Sequence, residues 1–66
     1  MNIAVNGKPR MIGEGWTVSR LIQGLRLNPS GIAVAVNGTV VSQSQRSVIE
    51  LRETVDVEII QAVGGE

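Results

Sequence analysis

Two adjacent glycines, Gly64 and Gly65, follow the apolar stretch Val55 to Val63 and precede Glu66. Glycine loses more conformational freedom on ordering than any other residue and packs no side chain. A Gly-Gly pair beyond a strand therefore contributes little to a core. Its use is reach: a segment without side chains threads a channel too narrow for other residues and presents its carbonyl carbon to a second protein's active site. The rest of the chain offers little competing chemistry. It contains no cysteine and no histidine, which removes thiolate nucleophiles, disulfides, Ser-His-Asp and Cys-His arrangements and the common transition-metal sites. Asp56 and Glu58, two apart on one strand face, have the spacing to share a cation. A solvated face or a contact for a basic partner is the expectation for them, with no metal site, no cofactor held by the chain and no enzymatic activity of its own.

The charge pattern narrows the partners. Six basic residues balance six acidic ones, and Lys8, Arg10, Arg20, Arg26, Arg46 and Arg52 are scattered along the chain. Trp16 is the sole aromatic residue. Nucleic-acid binders combine a basic face with stacking platforms, so no nucleic-acid partner is expected. No apolar run approaches the roughly 20 residues of a membrane span, and the N-terminal residues lack a signal-peptide pattern; the expectation is a soluble cytoplasmic protein with no membrane partner. At 66 residues a single domain of modest stability is expected, since a chain this short buries only about 60% of its unfolded surface.

The elements that must position the glycines read as follows. Ile3 and Val5 alternate with Asn2 and Ala4 in a first strand, and Asn6-Gly7 suits a tight hairpin turn. A second strand runs through Pro9 to Ile12, at a sheet edge because proline cannot donate to a ladder. Thr17 is placed to cap a helix whose stripe is Val18, Leu21, Ile22 and Leu25. Trp16 and Leu21 occupy hydrophobic-staple positions, Gly24 weakens the helix, and Asn28-Pro29 ends it. Ile32 to Val36 is a third strand, turned by Asn37-Gly38 into Thr39 to Val41. Ser42 to Arg46 reads as loop, and Ser47 to Leu51 as a short helical turn burying Val48 and Leu51. Val55 to Gln61 is a final strand with Val55, Val57 and Ile59 inward.

One helix covers one sheet face. Both edges belong to hairpin partners, so the final strand belongs at the centre, parallel to the first. The expected class is α+β, a β-grasp with a mixed four- to five-stranded sheet and one main helix on one face. Residues 1–61 form the domain and 62–66 a flexible C-terminal tail. With Ile3, Val34, Val36, Val57 and Ile59 facing the helix, alternation leaves Ala4, Ala33, Ala35 and Ile60 on the open face, a flat apolar patch suited to partner docking.

End to end, the chain resembles the sulfur carrier proteins of thiamine biosynthesis, the ThiS family. The resemblance rests on Met1-Asn2-Ile3, Val5-Asn6-Gly7, Gly15, Thr17-Val18 before Leu21, and Ala33-Val34-Ala35-Val36-Asn37-Gly38. Val57-Glu58-Ile59-Ile60 and Ala62-Val63-Gly64-Gly65 complete it. It implies a ubiquitin-like carrier, not a catalyst. The Gly65 carboxylate would be adenylated by a ubiquitin-activating-type adenylyltransferase using ATP and magnesium. A persulfide donor, a cysteine desulfurase or a rhodanese-like protein, would convert it to a thiocarboxylate, and thiazole synthase would take the sulfur. Ala62, Val63 and Gly64 would form the slender tail behind Gly65. Three departures stand out: Glu66 follows the glycine that the family usually ends on; Glu53-Thr54-Val55 replaces an Asp-Gly-Asp-like turn; and an aromatic residue common near the short helical turn is replaced around Gln45-Arg46-Ser47. Alternative readings are a sulfur carrier for molybdopterin, tungsten-cofactor or cysteine assembly, or a ubiquitin-like protein modifier or binding module.

Overall fold

Both Asn-Gly pairs close two-residue turns with both central residues at positive φ. The values are 52° and 81° at Asn6 and Gly7, and 50° and 84° at Asn37 and Gly38. This is the turn whose twist matches that of paired strands, and it builds two hairpins. The computed structural model describes residues 1–61. In it β1 (Asn2–Val5) pairs with β2 (Lys8–Met11), and β3 (Ile32–Val36) pairs with β4 (Thr39–Val41). Between the hairpins lies one helix, α1 (Val18–Leu25), and β5 (Asp56–Gln61) closes the order. The five strands make one sheet, β2-β1-β5-β3-β4, with β5 parallel to β1 and antiparallel to β3. This is the β-grasp arrangement, with the last strand at its centre and the proline-bearing β2 at an edge.

The core is a single cluster. Val18, Leu21 and Ile22 of α1 pack with Ile3, Val34, Val57 and Ile59 of the sheet and with Ile12, Leu51 and Val55. Thr17 caps the helix by accepting from the Arg20 N–H. Trp16 lies along the helix against the core cluster, with the Arg20 guanidinium 4.4 Å above the ring. A Cβ at Gly24 would stand 3.4 Å from the ring, and one at Gly13 would stand 2.7 Å from its Nε1. The glycine that weakens the helix by about 1 kcal/mol thus makes room for the indole.

Helix α1 ends at Leu25, earlier than Asn28-Pro29. Arg26 adopts the left-handed conformation, its N–H bonds to the Gln23 carbonyl, and the Leu27 N–H bonds to the Ile22 carbonyl. That is a Schellman closure. Asn28 instead caps a one-turn 3₁₀ segment, Pro29–Gly31.

A second correction concerns residues 47–51. The short helical turn sits earlier, at Gln43–Gln45, and the chain beyond it straps the start of α1. The Val18 and Ser19 N–H groups donate to the carbonyls of Ile49 and Arg46, and the Leu51 N–H donates to the Trp16 carbonyl. Thr17 and Glu50 form a bridge. A helix leaves its first N–H groups without internal partners, and this strap supplies them. The turn runs on through Val48, since the N–H groups of Val48 and Ile49 both donate to the Gln45 carbonyl. From Ile49 the strap is extended, so Ile49 packs against the core and Leu51 is 1% exposed, while Val48 at the end of the turn is 66% exposed.

The turn before β5 places a residue other than glycine at positive φ. Thr54 has φ of 64°, a conformation that costs a β-branched residue about 1–2 kcal/mol. Its N–H donates to the Asn2 carbonyl at 2.8 Å, which holds it there. Thr54→Gly should therefore raise the unfolding free energy by about 1 kcal/mol, after allowance for the greater freedom of glycine in the unfolded chain. Urea denaturation checks this, and a loss of stability would refute the strain.

Candidate functional site at the end of the central strand

The candidate site is the strand that carries the glycines and the sheet face beside it. Strand β5 runs past the end of its neighbour: β1 stops at Val5, opposite Val57, whereas β5 continues to Gln61. The gap is filled by a side chain. Asn6 Nδ2 donates to the Ile59 carbonyl at 3.1 Å, and Asn6 Oδ1 accepts from the Ile59 N–H at 2.8 Å. The side-chain amide so imitates one further residue of a parallel strand. The other turn asparagine holds the opposite end with its side-chain oxygen and its own backbone N–H. Asn37 Oδ1 accepts from the Asp56 N–H at 3.0 Å, and the Asn37 N–H donates to the Asp56 carbonyl at 2.7 Å. Each asparagine both forms its turn and clamps β5, one from the β1 side near its end and one from the β3 side at its start. The segment from which residues 62–66 depart is thus fixed up to Gln61, where it pairs with Ile32. Ala62, Val63, Gly64 and Gly65, together with Glu66, lie outside the described residues.

The open face gathers the four residues expected on it. Ala33 stands beside Ile60, Ala35 beside Glu58, and Ala4 beside Asp56. Ile60 is 68% exposed; Ala33 is exposed and Ala4 and Ala35 are half-buried. Two further exposed side chains enlarge the patch. Val40, 75% exposed, pairs across from Ala35, and Met11, 74% exposed, pairs across from Asn2. Strand alternation, applied to β2 and β4 as it was to the other strands, is the signal that finds them. Asp56 and Glu58 run down the middle of this face beside Ile60 and are exposed. The surface is therefore apolar at its margins and acidic along its centre, a match for a partner that brings apolar contacts around basic groups. Among the described residues no helix is long and apolar enough to cross a membrane.

Arg46 was not singled out by its sequence context, yet it is 5% exposed. Its Nη1 donates to the Pro29 carbonyl at 2.7 Å and its Nη2 to the Ile32 carbonyl at 2.8 Å. It ties the Gln43–Gln45 turn to the start of β3.

A protein-family model described as the ThiS family matches residues 2–65. A protein from Magnetococcus marinus named thiazole synthase is 34% identical over 65 residues, covering 98% of this chain and 20% of that protein. The chain thus spans about one fifth of the length of that curated relative. Among solved structures, the crystal structure of a thiamine biosynthesis protein (ThiS) from Geobacter metallireducens superposes with a TM-score of 0.87 at 28% identity, covering all of both chains. A solution structure of a thiamine biosynthesis protein from the same organism gives 0.84 at 28% identity, covering 100% of this chain and 88% of that one.

Proposed function

The chain belongs to the ThiS family, and on that ground we propose that it is a sulfur carrier in thiamine biosynthesis, acting through Gly65. The observation that carries this reading is the continuity of the family match from residue 2 to residue 65, through a central strand clamped on both sides and on into Gly64-Gly65. The division of labour is physical. A carboxylate is a poor electrophile, and activation as a mixed anhydride opens its carbon to a nucleophile. The Gly65 carboxylate oxygen attacks the α-phosphorus of ATP, held with magnesium by a ubiquitin-activating-type adenylyltransferase, and pyrophosphate leaves. The terminal sulfur of a persulfide on a cysteine desulfurase or rhodanese-like donor then displaces AMP. A thiol then attacks the donor cysteine's sulfur, forming a disulfide with it and releasing the thiocarboxylate. The carrier supplies an anchored, narrow acyl group and a docking face, and catalysis belongs to its partners. In this sequence the Gly65 carbonyl is amide-bonded to Glu66, so loading requires hydrolysis of that bond first.

Thiazole synthase is proposed as the sulfur acceptor. A protein of that name carries, in one fifth of its length, a segment 34% identical to nearly all of this chain, which supports the pairing. Intact mass after incubation of residues 1–65 with the activating enzyme, ATP, magnesium and a persulfide donor tests the carrier reading. Replacement of one oxygen by sulfur at Gly65 supports it; a lysine adduct would instead indicate a modifier, and an unchanged mass an inert module.

The docking face, Ala4, Ala33, Ala35 and Ile60 with Val40 and Met11, makes a separate prediction. In the chain trimmed to Gly65, Ile60→Asp should lower kcat/KM for adenylation by about tenfold or more, the cost of replacing an apolar contact by a third carboxylate in line with Asp56 and Glu58. Because Ile60 is exposed in the free protein, unfolding free energy should change by less than about 0.5 kcal/mol. Steady-state pyrophosphate release and urea unfolding measure the two effects, and unchanged kinetics would remove Ile60 from the contact.

A further inference from the structure

Arg46 is a cation with its needs partly met. Two of the five guanidinium N–H groups reach the Pro29 and Ile32 carbonyls, while Nε is buried and has no acceptor among the described residues. Carbonyl dipoles replace some of the lost hydration but do not neutralise the charge, and a buried charge ordinarily has an opposite partner. Beside Arg46 opens a pocket of about 400 Å³ lined also by Ser19, Ile22, Gln23, Leu27, Pro29 and Gln43. None of these is acidic. Ser19, Gln23 and Gln43 bring neutral hydrogen-bonding groups, Ile22 and Leu27 bring apolar wall, and the Gln43 amide shares the Pro29 carbonyl with Arg46 at 3.3 Å.

We propose that this pocket binds a carboxylate carried on a short aliphatic stem. The carboxylate pairs with the Nη hydrogens that the two carbonyls leave over, Nε itself being closed off from solvent, and the stem lies against Ile22 and Leu27. A charge-assisted pair of this kind is strongest where water is excluded. The pocket borders α1 and so lies on the helix side of the sheet, away from the open face. Its occupant and a protein docked on that face can therefore bind together. The same chemistry has two sources, a free short-chain acid or a glutamate side chain offered by a partner protein.

The test follows the Arg46 Nε–Hε signal and the Gln23 and Gln43 side-chain amides by nitrogen–proton NMR, titrating sodium butyrate and a blocked glutamyl amide at constant ionic strength. Saturable shifts at these groups are expected, and Arg46→Met should weaken binding by at least about tenfold, the loss of one charge-assisted pair. Since Arg46 also ties two loops together, Gln23→Glu is the second variant. It places a carboxylate at the pocket, and it should raise Tm and lower butyrate affinity by a similar factor. Tighter binding of the glutamyl amide than of butyrate assigns the site to a partner's side chain, and equal or weaker binding assigns it to a free acid. Shifts that grow without saturating, or that Gln23→Glu leaves unaltered, overturn the proposal.

Discussion

Trimmed to Gly65, the chain should take up one sulfur atom per molecule from the activating enzyme, ATP and a persulfide donor; with Glu66 in place it should take up none. The effect is nearly all-or-none because it concerns which atom is present. With Glu66 attached, the Gly65 carbonyl is an amide, and an amide oxygen does not displace pyrophosphate from ATP. The nearest main-chain carboxylate then lies at least one residue further on, roughly 3.5 Å along an extended chain, and beyond a charged side chain. Misplacement by about 1 Å can already cost 10²-fold in rate. The same reasoning applies one residue back: on the proposed carrier reading, Gly64→Val in the trimmed chain should cut loading by at least about 10²-fold, since a β-branched residue would not pass a channel sized for glycine. Folding should not change in either case, because among the described residues the buried core runs from Ile3 to Ile59 and is complete without the tail's help at both hairpins and α1. Intact mass reads the loading and urea unfolding reads the fold. Equal loading with and without Glu66 would break the link between Gly65 and the chemistry.

Most of the scaffold for that chemistry is legible in the sequence, for local reasons. Asn-Gly twice, Thr17 before an i, i+3, i+4, i+7 stripe, and a proline in the second strand are signals whose physical cause lies within a few residues. The central position of β5 follows from them by elimination of the edges. What stays hidden depends on partners distant in sequence. Asn6 is visible as a turn residue, but its amide meets Ile59, 53 residues away. The choice of asparagine over aspartate at Asn6 is informative only once β5 is known to overrun β1, because donating to a carbonyl while accepting from an N–H needs both ends of an amide. Arg46 is hidden for a similar reason. Nothing in Gln45-Arg46-Ser47 indicates that two carbonyls, at Pro29 and Ile32, will be waiting for its guanidinium.

The strap at residues 46–51 is where local reading and tertiary demand conflict, and it yields the second large prediction. A helical turn would bury Val48 and Leu51 together, since residues three apart share a helix face. In the structure the turn ends at Val48, which is exposed, and the chain that is extended from Ile49 onward buries Leu51. Leu51→Ala should then cost about 2–5 kcal/mol, the transfer loss plus the cavity left in a core that cannot fully collapse. For a domain whose whole stability is of order 3–10 kcal/mol at typical values per residue, this leaves a substantial unfolded fraction and lowers Tm by at least about 10 °C. Val48→Asp should stay within about 0.5 kcal/mol, since that side chain has given up little water. Urea unfolding with an unchanged m-value separates the two. A matched loss at both positions would restore the helical turn. The contrast also bears on α1, because the Leu51 N–H holds the Trp16 carbonyl and the Ile49 carbonyl holds the Val18 N–H. A strap loosened by Leu51→Ala therefore frees the first turn of α1, and faster amide exchange at Val18 and Ser19 than at Ile59 should be the earliest sign of it.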